Sequence, residues 1–267
     1  MTILSPTTIH ISEGVLVRWK DSNPIPKSSR DPNKDLAATR TLGIIQARMG
    51  SSRYPGKVLA PIDGVPMLLR IINRVQEAGL TWVVVATTTK PADDVIEYAC
   101  EKWNVTYYRG SETDVLGRFK EVSKLIQPNT VVRITGDCPL VDPDKIREAV
   151  QFFWEHSADY VTFGNIRNPV SRFYPDGFDV EVFSAETLKY AYLHAKGEER
   201  EHVGLHMLRY LTTAFLKYES PLAEPYKLSV DTVGDLKLVE QIYRRYGEGV
   251  RIHDAEEFLK ELRNEVQ

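Results

Sequence analysis

Beyond residue 40 the apolar positions switch repeatedly between two rhythms, short continuous runs and stripes that recur every three to four residues. The runs at 42–47, 82–87, 105–108, 130–134 and 160–163 read as strands. A run as unbroken as Trp82-Val83-Val84-Val85-Ala86-Thr87 is the pattern of a strand covered on both faces. Between the runs lie helical stripes. Pro66 precedes Met67, Leu68, Ile71, Ile72, Val75 and Ala78, and Gly79 closes that helix. Pro91 with Asp93 and Asp94 opens a second, its acids complementing the dipole. A third covers 114–126, and Asp142-Pro143 starts a fourth. Later, 178–183 and 226–230 read as strands. Helices follow over 184–195 with Ser184 as N-cap, over 200–211, from Thr232, and from the capping pair Asp254 and Glu257. Such alternation builds a Rossmann-like α/β fold, a mostly parallel sheet flanked by helices.

Residues 1–40 break this rhythm. Ile9, Ile11, Val15 and Val17 alternate about Ser12-Glu13-Gly14, a short hairpin signal, and residues 21–40 have the Pro, Ser, Asp, Asn and Lys of a linker. The favoured reading is a semi-ordered N-terminal extension, the sharper one a hairpin that docks on the body or on a partner. Residues 41–267 then form the main domain.

Composition narrows the function. Of 267 residues, 42% are hydrophobic and 27% charged, an ordinary globular balance. A net charge of −3 lacks the basic surplus of a general nucleic-acid binder. Cys100 and Cys138 offer no disulfide framework, and neither a signal peptide nor an apolar run of membrane-spanning length is seen. These features point to the cytoplasm.

The densest chemistry follows the first strand: Gln46-Ala47-Arg48-Met49-Gly50-Ser51-Ser52-Arg53-Tyr54-Pro55-Gly56-Lys57. Two Gly, two Ser, two Arg and one Lys let several backbone N–H groups and three cations face one phosphate chain. It is not a Walker A loop, for five residues separate Gly50 from Gly56 and Val58 stands where Ser or Thr should. A basic surface loop is the blander alternative. Thr135-Gly136-Asp137-Cys138-Pro139-Leu140 follows another strand, and a carboxylate fixed there suits Mg2+; a plain Gly-Asp turn is the alternative. Leu228-Ser229-Val230-Asp231-Thr232 delivers a third loaded end, with Asp231 either a helix cap or a ligand. Thr87 and Thr88 end the second strand, where small hydroxyl residues can meet a base. Asp114 and Arg118 are four apart, as a solvated ion pair or as substrate contacts.

The words Ala47-Arg48, Ser51 or Ser52, Arg53, Pro55-Gly56-Lys57 resemble the signature of the cytidylyltransferases that activate acidic sugars, and Gly136-Asp137-Cys138-Pro139-Leu140-Val141-Asp142 is similar to their spore-coat polysaccharide branch. The resemblance implies a fold of the nucleotide-diphospho-sugar transferase type. It also implies CTP as nucleotide, Mg2+ held by Asp137 and Asp231, a cytidine pocket including Gly110, and a homodimer formed through the region near 165–215. The substrates would be CTP and a small-molecule acceptor, with no nucleic acid or membrane partner. Catalysis would fall to Lys57, Arg48, Arg53 and Asp137. Acceptor identity would lie in Tyr174-Pro175-Asp176-Gly177-Phe178-Asp179-Val180-Glu181 and in Glu198-Glu199-Arg200-Glu201-His202-Val203, chiefly Asp176, Phe178, Asp179, Glu181, Glu199 and His202. Asp176 stands where relatives often carry a cation, and Tyr54, Gly204-Leu205-His206 and Val233-Gly234 depart further.

His202 and His206 have a Zn-chelating spacing on an expected helix, but no third ligand accompanies them. Two rival functions stay open. A glycosyltransferase on the same sheet would use a pair such as Asp142 and Asp144, and a non-catalytic nucleotide binder would keep only the fold.

Overall fold

The apolar runs assemble into one nine-stranded sheet whose central strands, Thr41–Gln46, Trp82–Thr88 and Thr130–Thr135 among them, are buried under helices supplied by the intervening stripes. The computed structural model describes residues 7–11, 14–18, 39–163, 175–222 and 226–265. A first stretch contains β1 (Thr7–Ile11), β2 (Gly14–Arg18), β3 (Thr41–Gln46), the two-residue strands β4 (Pro61–Ile62) and β5 (Val65–Pro66), and α1 (Met67–Glu77). Then come β6 (Trp82–Thr88), α2 (Asp94–Lys102), β7 (Thr106–Gly110), α3 (Val115–Ile126), β8 (Thr130–Thr135) and α4 (Pro143–Glu155). The last part holds β9 (Tyr160–Thr162), β10 (Glu181–Ser184), α5 (Ala185–His194), α6 (Leu205–Tyr210), β11 (Thr213–Leu216), α7 (Val233–Tyr246) and α8 (Ile252–Glu265).

The strand order is β1-β2-β11-β9-β10-β8-β3-β6-β7. Among the seven strands that exclude the β1–β2 hairpin, four of six pairings are parallel: β11 with β9, and β8, β3, β6 and β7 in succession. Strand β10 inserts antiparallel between β8 and β9. Successive residues of β3 face opposite layers. Ile45 packs into a core with Ile71, Ile72 and Val75 of α1 and Ile146 and Phe153 of α4, whereas Ile44 joins Leu116 and Phe119 of α3 and Leu188 of α5.

Several expectations need correction. The hairpin strands pair with each other, and β2 runs antiparallel to β11 at the sheet edge. Residues 12–13 and the linker at 21–38 lie outside the described residues, as do Tyr174 and part of the expected dimer region. Residues 226–230 form no strand, and β11 stands where none was expected. Strand β10 begins at Glu181, three residues later than read. The helix expected over 200–211 splits into a 3-10 turn, Gly197–Arg200, and the shorter α6, so His202 precedes α6 and shares no helix with His206. Helix α8 starts at Ile252, and the Asp254 carboxylate accepts from the Arg251 N–H at 2.8 Å.

Candidate active site

Strand β3 has β8 on one side and β6 on the other. The chain runs out through β6 and β7, then returns to β8, so a crevice opens beyond the carboxyl ends of β3 and β8. Gln46 and Thr135 are register partners, which brings the loops after them together. Gly136 N–H donates to the Gln46 carbonyl at 2.8 Å, and a Cβ at Gly136 would lie 2.6 Å from that oxygen. Only glycine permits this approach.

The basic loop folds around Met49, whose carbonyl accepts from Ser51 N–H at 2.9 Å and Gly56 N–H at 3.0 Å. Gly56, at φ 77°, turns the chain into a 3-10 helix, Lys57–Leu59, that is pinned by buried Val58. That geometry sends Lys57 inward. Its Nζ lies 3.2 Å from Asp137 Oδ2, 3.0 Å from Asp231 Oδ1 and 2.6 Å from the Val230 carbonyl. The segment expected as a strand instead hangs between two loops: Leu228 N–H donates to the Asp176 carbonyl at 2.6 Å, and Val230 N–H to the Asp137 carbonyl at 2.8 Å. Thus Asp231 reaches the crevice without joining the sheet.

Cations surround Asp231. Arg53 approaches Oδ1 at 2.8 Å and Lys227 approaches Oδ2 at 3.0 Å. Burial pushes the Asp231 pKa up, but hydrogen bonds from Lys57 and Lys227 outweigh it and hold the carboxylate below its usual range. Arg48 turns the other way, toward Glu112 at 3.6 Å, where Lys90 also arrives at 3.2 Å. Cys138 is buried between these loops, and burial drives its thiol pKa well up, the state of a packing residue rather than a nucleophile.

Other sequence candidates occupy varied places. Ser51 Oγ accepts from Tyr54 N–H at 3.4 Å, and Ser52 is exposed. Ala47 is buried, and Gln46 Oε1 accepts from Arg133 at 3.2 Å, while Arg133 pairs with Glu181 across the β8–β10 ladder. Thr87 and Thr88 are both fully buried, and the Thr88 hydroxyl donates to Asp93. Arg118 forms no solvated pair with Asp114. Its guanidinium is buried and donates to the Ser111 and Glu112 carbonyls, and burial, then repulsion from Arg48, pushes its pKa down to about 10. Asp114 caps α3 through Gly117 N–H and meets Arg200 at 3.2 Å. A Cβ at Gly110 would lie 2.8 Å from the Arg118 side chain.

In the expected acceptor region, Asp176 bridges Lys227 through its backbone. Phe178 packs fully buried in the main core, and Gly177 N–H donates to Asp179 at 3.5 Å. Glu199 is buried and bound to His206 at 2.9 Å and Arg209 at 3.0 Å, while His202 N–H donates to the Glu198 carbonyl. Phe178 and Glu199 thus have partners within the protein, whereas Glu181 pairs with Arg133 through one oxygen and leaves Oε2 buried without a hydrogen bond. Sequence reasoning passed over Lys227, Lys90 and Arg133. Only Lys227, four residues before Asp231, carried a local signal. Among the described residues no helix is long and apolar enough to cross a membrane.

The chain is 33% identical to the spore coat polysaccharide biosynthesis protein SpsF of Bacillus subtilis (strain 168) over 218 residues, 78% of this chain and 88% of that protein. It is 34% identical over 131 residues to the 3-deoxy-manno-octulosonate cytidylyltransferase of Mesorhizobium japonicum, 46% of this chain and 52% of that enzyme. Among solved structures, a cytidylyltransferase from Leptospira borgpetersenii serovar Hardjo-bovis superposes with a TM-score of 0.75 at 27% identity, covering 84% of this chain and 95% of the other. A CMP:2-keto-3-deoxy-manno-octonic acid synthetase complexed with CTP shares the fold, with a TM-score of 0.56 at 19% identity over 77% of this chain and 99% of the other. Residues 42–247, which include every residue of the Lys57 junction, match the cytidylyltransferase family, and this chain belongs to it.

Proposed function

We propose that the protein transfers a cytidylyl group from CTP to an acidic sugar or related acceptor, with Mg2+ as cofactor, in the making of a surface polysaccharide or glycoconjugate. The named activities of its relatives support the reading. The observation that carries it is the Lys57 ammonium lying within 3.2 Å of two carboxylates from separate crossovers. That ammonium is a stand-in cation. A hard divalent ion fits the same all-oxygen donors, so Asp137 and Asp231 would hold Mg2+, which when bound neutralises phosphate charge.

In the reaction an acceptor oxygen forms a bond to the α-phosphorus, the bond from that phosphorus to the α–β bridging oxygen breaks, and pyrophosphate leaves. The acceptor proton passes to solvent. Lys57, Arg48 and Arg53 serve as cations for the triphosphate and the leaving group, and the loop N–H groups orient it. The glycosyltransferase alternative loses its carboxylate pair. Asp142 caps α4 and accepts from Ile252 N–H at 2.9 Å, and Asp144 is paired with Arg147 and Arg251.

Four nucleoside triphosphates crossed against sugar acids, sugar phosphates and phosphonates, with pyrophosphate as the readout, test the reading. Release is expected from CTP with one acidic acceptor class. Full CTP binding without turnover across the panel would favour the non-catalytic alternative.

A further inference from the structure

Asp93 stands at the N-cap position of α2, yet its carboxylate makes no capping bond to that helix. It is 3% exposed and turns instead toward the basic loop. Oδ1 accepts from Met49 N–H at 2.6 Å, and Oδ2 accepts from the Thr88 hydroxyl, which itself accepts from Lys90 N–H at 3.1 Å. Met49 is the hub of the loop, since its carbonyl gathers Ser51 and Gly56. One buried carboxylate therefore ties that hub to the end of β6. A helix cap would have been satisfied locally, so the outward reach needs another purpose.

We infer that Asp93 is a positioning residue for the phosphate-binding loop, acting through the Met49 peptide to set where Arg48, the loop N–H groups and Lys57 meet a nucleoside triphosphate. The inference rests on the nucleotide reading above and deepens it. Asp93 touches no substrate. Its loss loosens the loop that grips phosphates, which CMP engages less fully than CTP.

Calorimetric titration of Mg·CTP and of CMP into wild type, Asp93→Ala and Asp93→Asn tests this, with thermal melting as the folding control. Asp93→Ala is expected to weaken CTP at least tenfold and CMP less than threefold, because only CTP engages the whole loop. Asp93→Asn keeps an oxygen facing Met49 N–H and is expected to stay within threefold of wild type for both. If the alanine variant fails to fold, Asp93→Glu, which displaces the oxygens by one methylene, should show the same CTP-selective loss. Equal losses for CTP and CMP, wild-type CTP affinity in Asp93→Ala, or an asparagine variant as weak as alanine would each overturn the inference. A wild-type protein that binds CMP but gains nothing from the added phosphates would sink it too, whereas one that binds no nucleotide would sink the function as well.

Discussion

Lys57 bridges two carboxylates that would repel each other if left alone, and it does so where a divalent ion is proposed to sit. Two opposite effects follow from its removal. Lys57→Met should lower pyrophosphate release by about 100-fold or more, the usual scale for losing a charge-stabilising group. The same change should tighten Mn2+ binding to the nucleotide-free protein, since no ammonium competes for the oxygens. Calorimetry with Mn2+ alone reads the second effect, and an unchanged or weaker affinity would refute the competition. The cysteines offer a separate check. Burial raises the Cys100 pKa to about 11 and raises that of Cys138 well above the ordinary thiol value, so both stay protonated near neutrality. Native protein should react with a thiol reagent only as fast as it unfolds. Lys57 and the loop glycines stood out in the sequence because they share one basic stretch directly after an apolar strand, whereas the role of Asp137 came from the family resemblance. Asp93 was read as a helix-start acid, since the contact that engages it comes from 44 residues away.

The segment at 226–231 is where element and sequence pattern part. Its apolar residues suit a strand, but its backbone bonds go to the Asp176 and Asp137 carbonyls, so two loops take the place of a ladder. Strand β11 went unread for a different reason, since four residues are too few to show a period. Gly177 guards the loop contact. At φ 108°, and with a Cβ that would lie 2.6 Å from the Leu228 backbone, it cannot accept a side chain without displacing the segment. Gly177→Ala should cost about 1–3 kcal/mol in urea unfolding and should weaken Mn2+ binding through the misplaced Asp231. A second tether is Arg74 of α1, buried against the carbonyls of Val141, Glu248 and Val250. Arg74→Ala strands those oxygens and should destabilise the fold by about 3 kcal/mol or more.

At the scale of the molecule, the crevice exists because the strand order reverses between β3 and β8, a consequence of alternating elements that the sequence displayed from residue 41 onward. The antiparallel β10 and the hairpin edge were not legible, because pairing direction is decided by partners distant in sequence. Charge also acts globally. For Asp144, Glu199, Asp231 and Asp235, burial pushes the pKa up and is outweighed by nearby donors, so each lies below its ordinary value. The unfolded chain then binds more protons than the folded one, and stability present above the ordinary carboxylate range is lost as pH falls through the lowered values. Urea midpoints should drop on acidification below about pH 4, where ordinary carboxylates titrate. The most direct measurement is the anomalous scattering of Mn2+ in crystals grown with a non-hydrolysable CTP analogue. One metal is expected between Asp137 and Asp231, with the triphosphate along residues 48–57. Metal bound elsewhere, or phosphates lying away from that loop, would contradict the account.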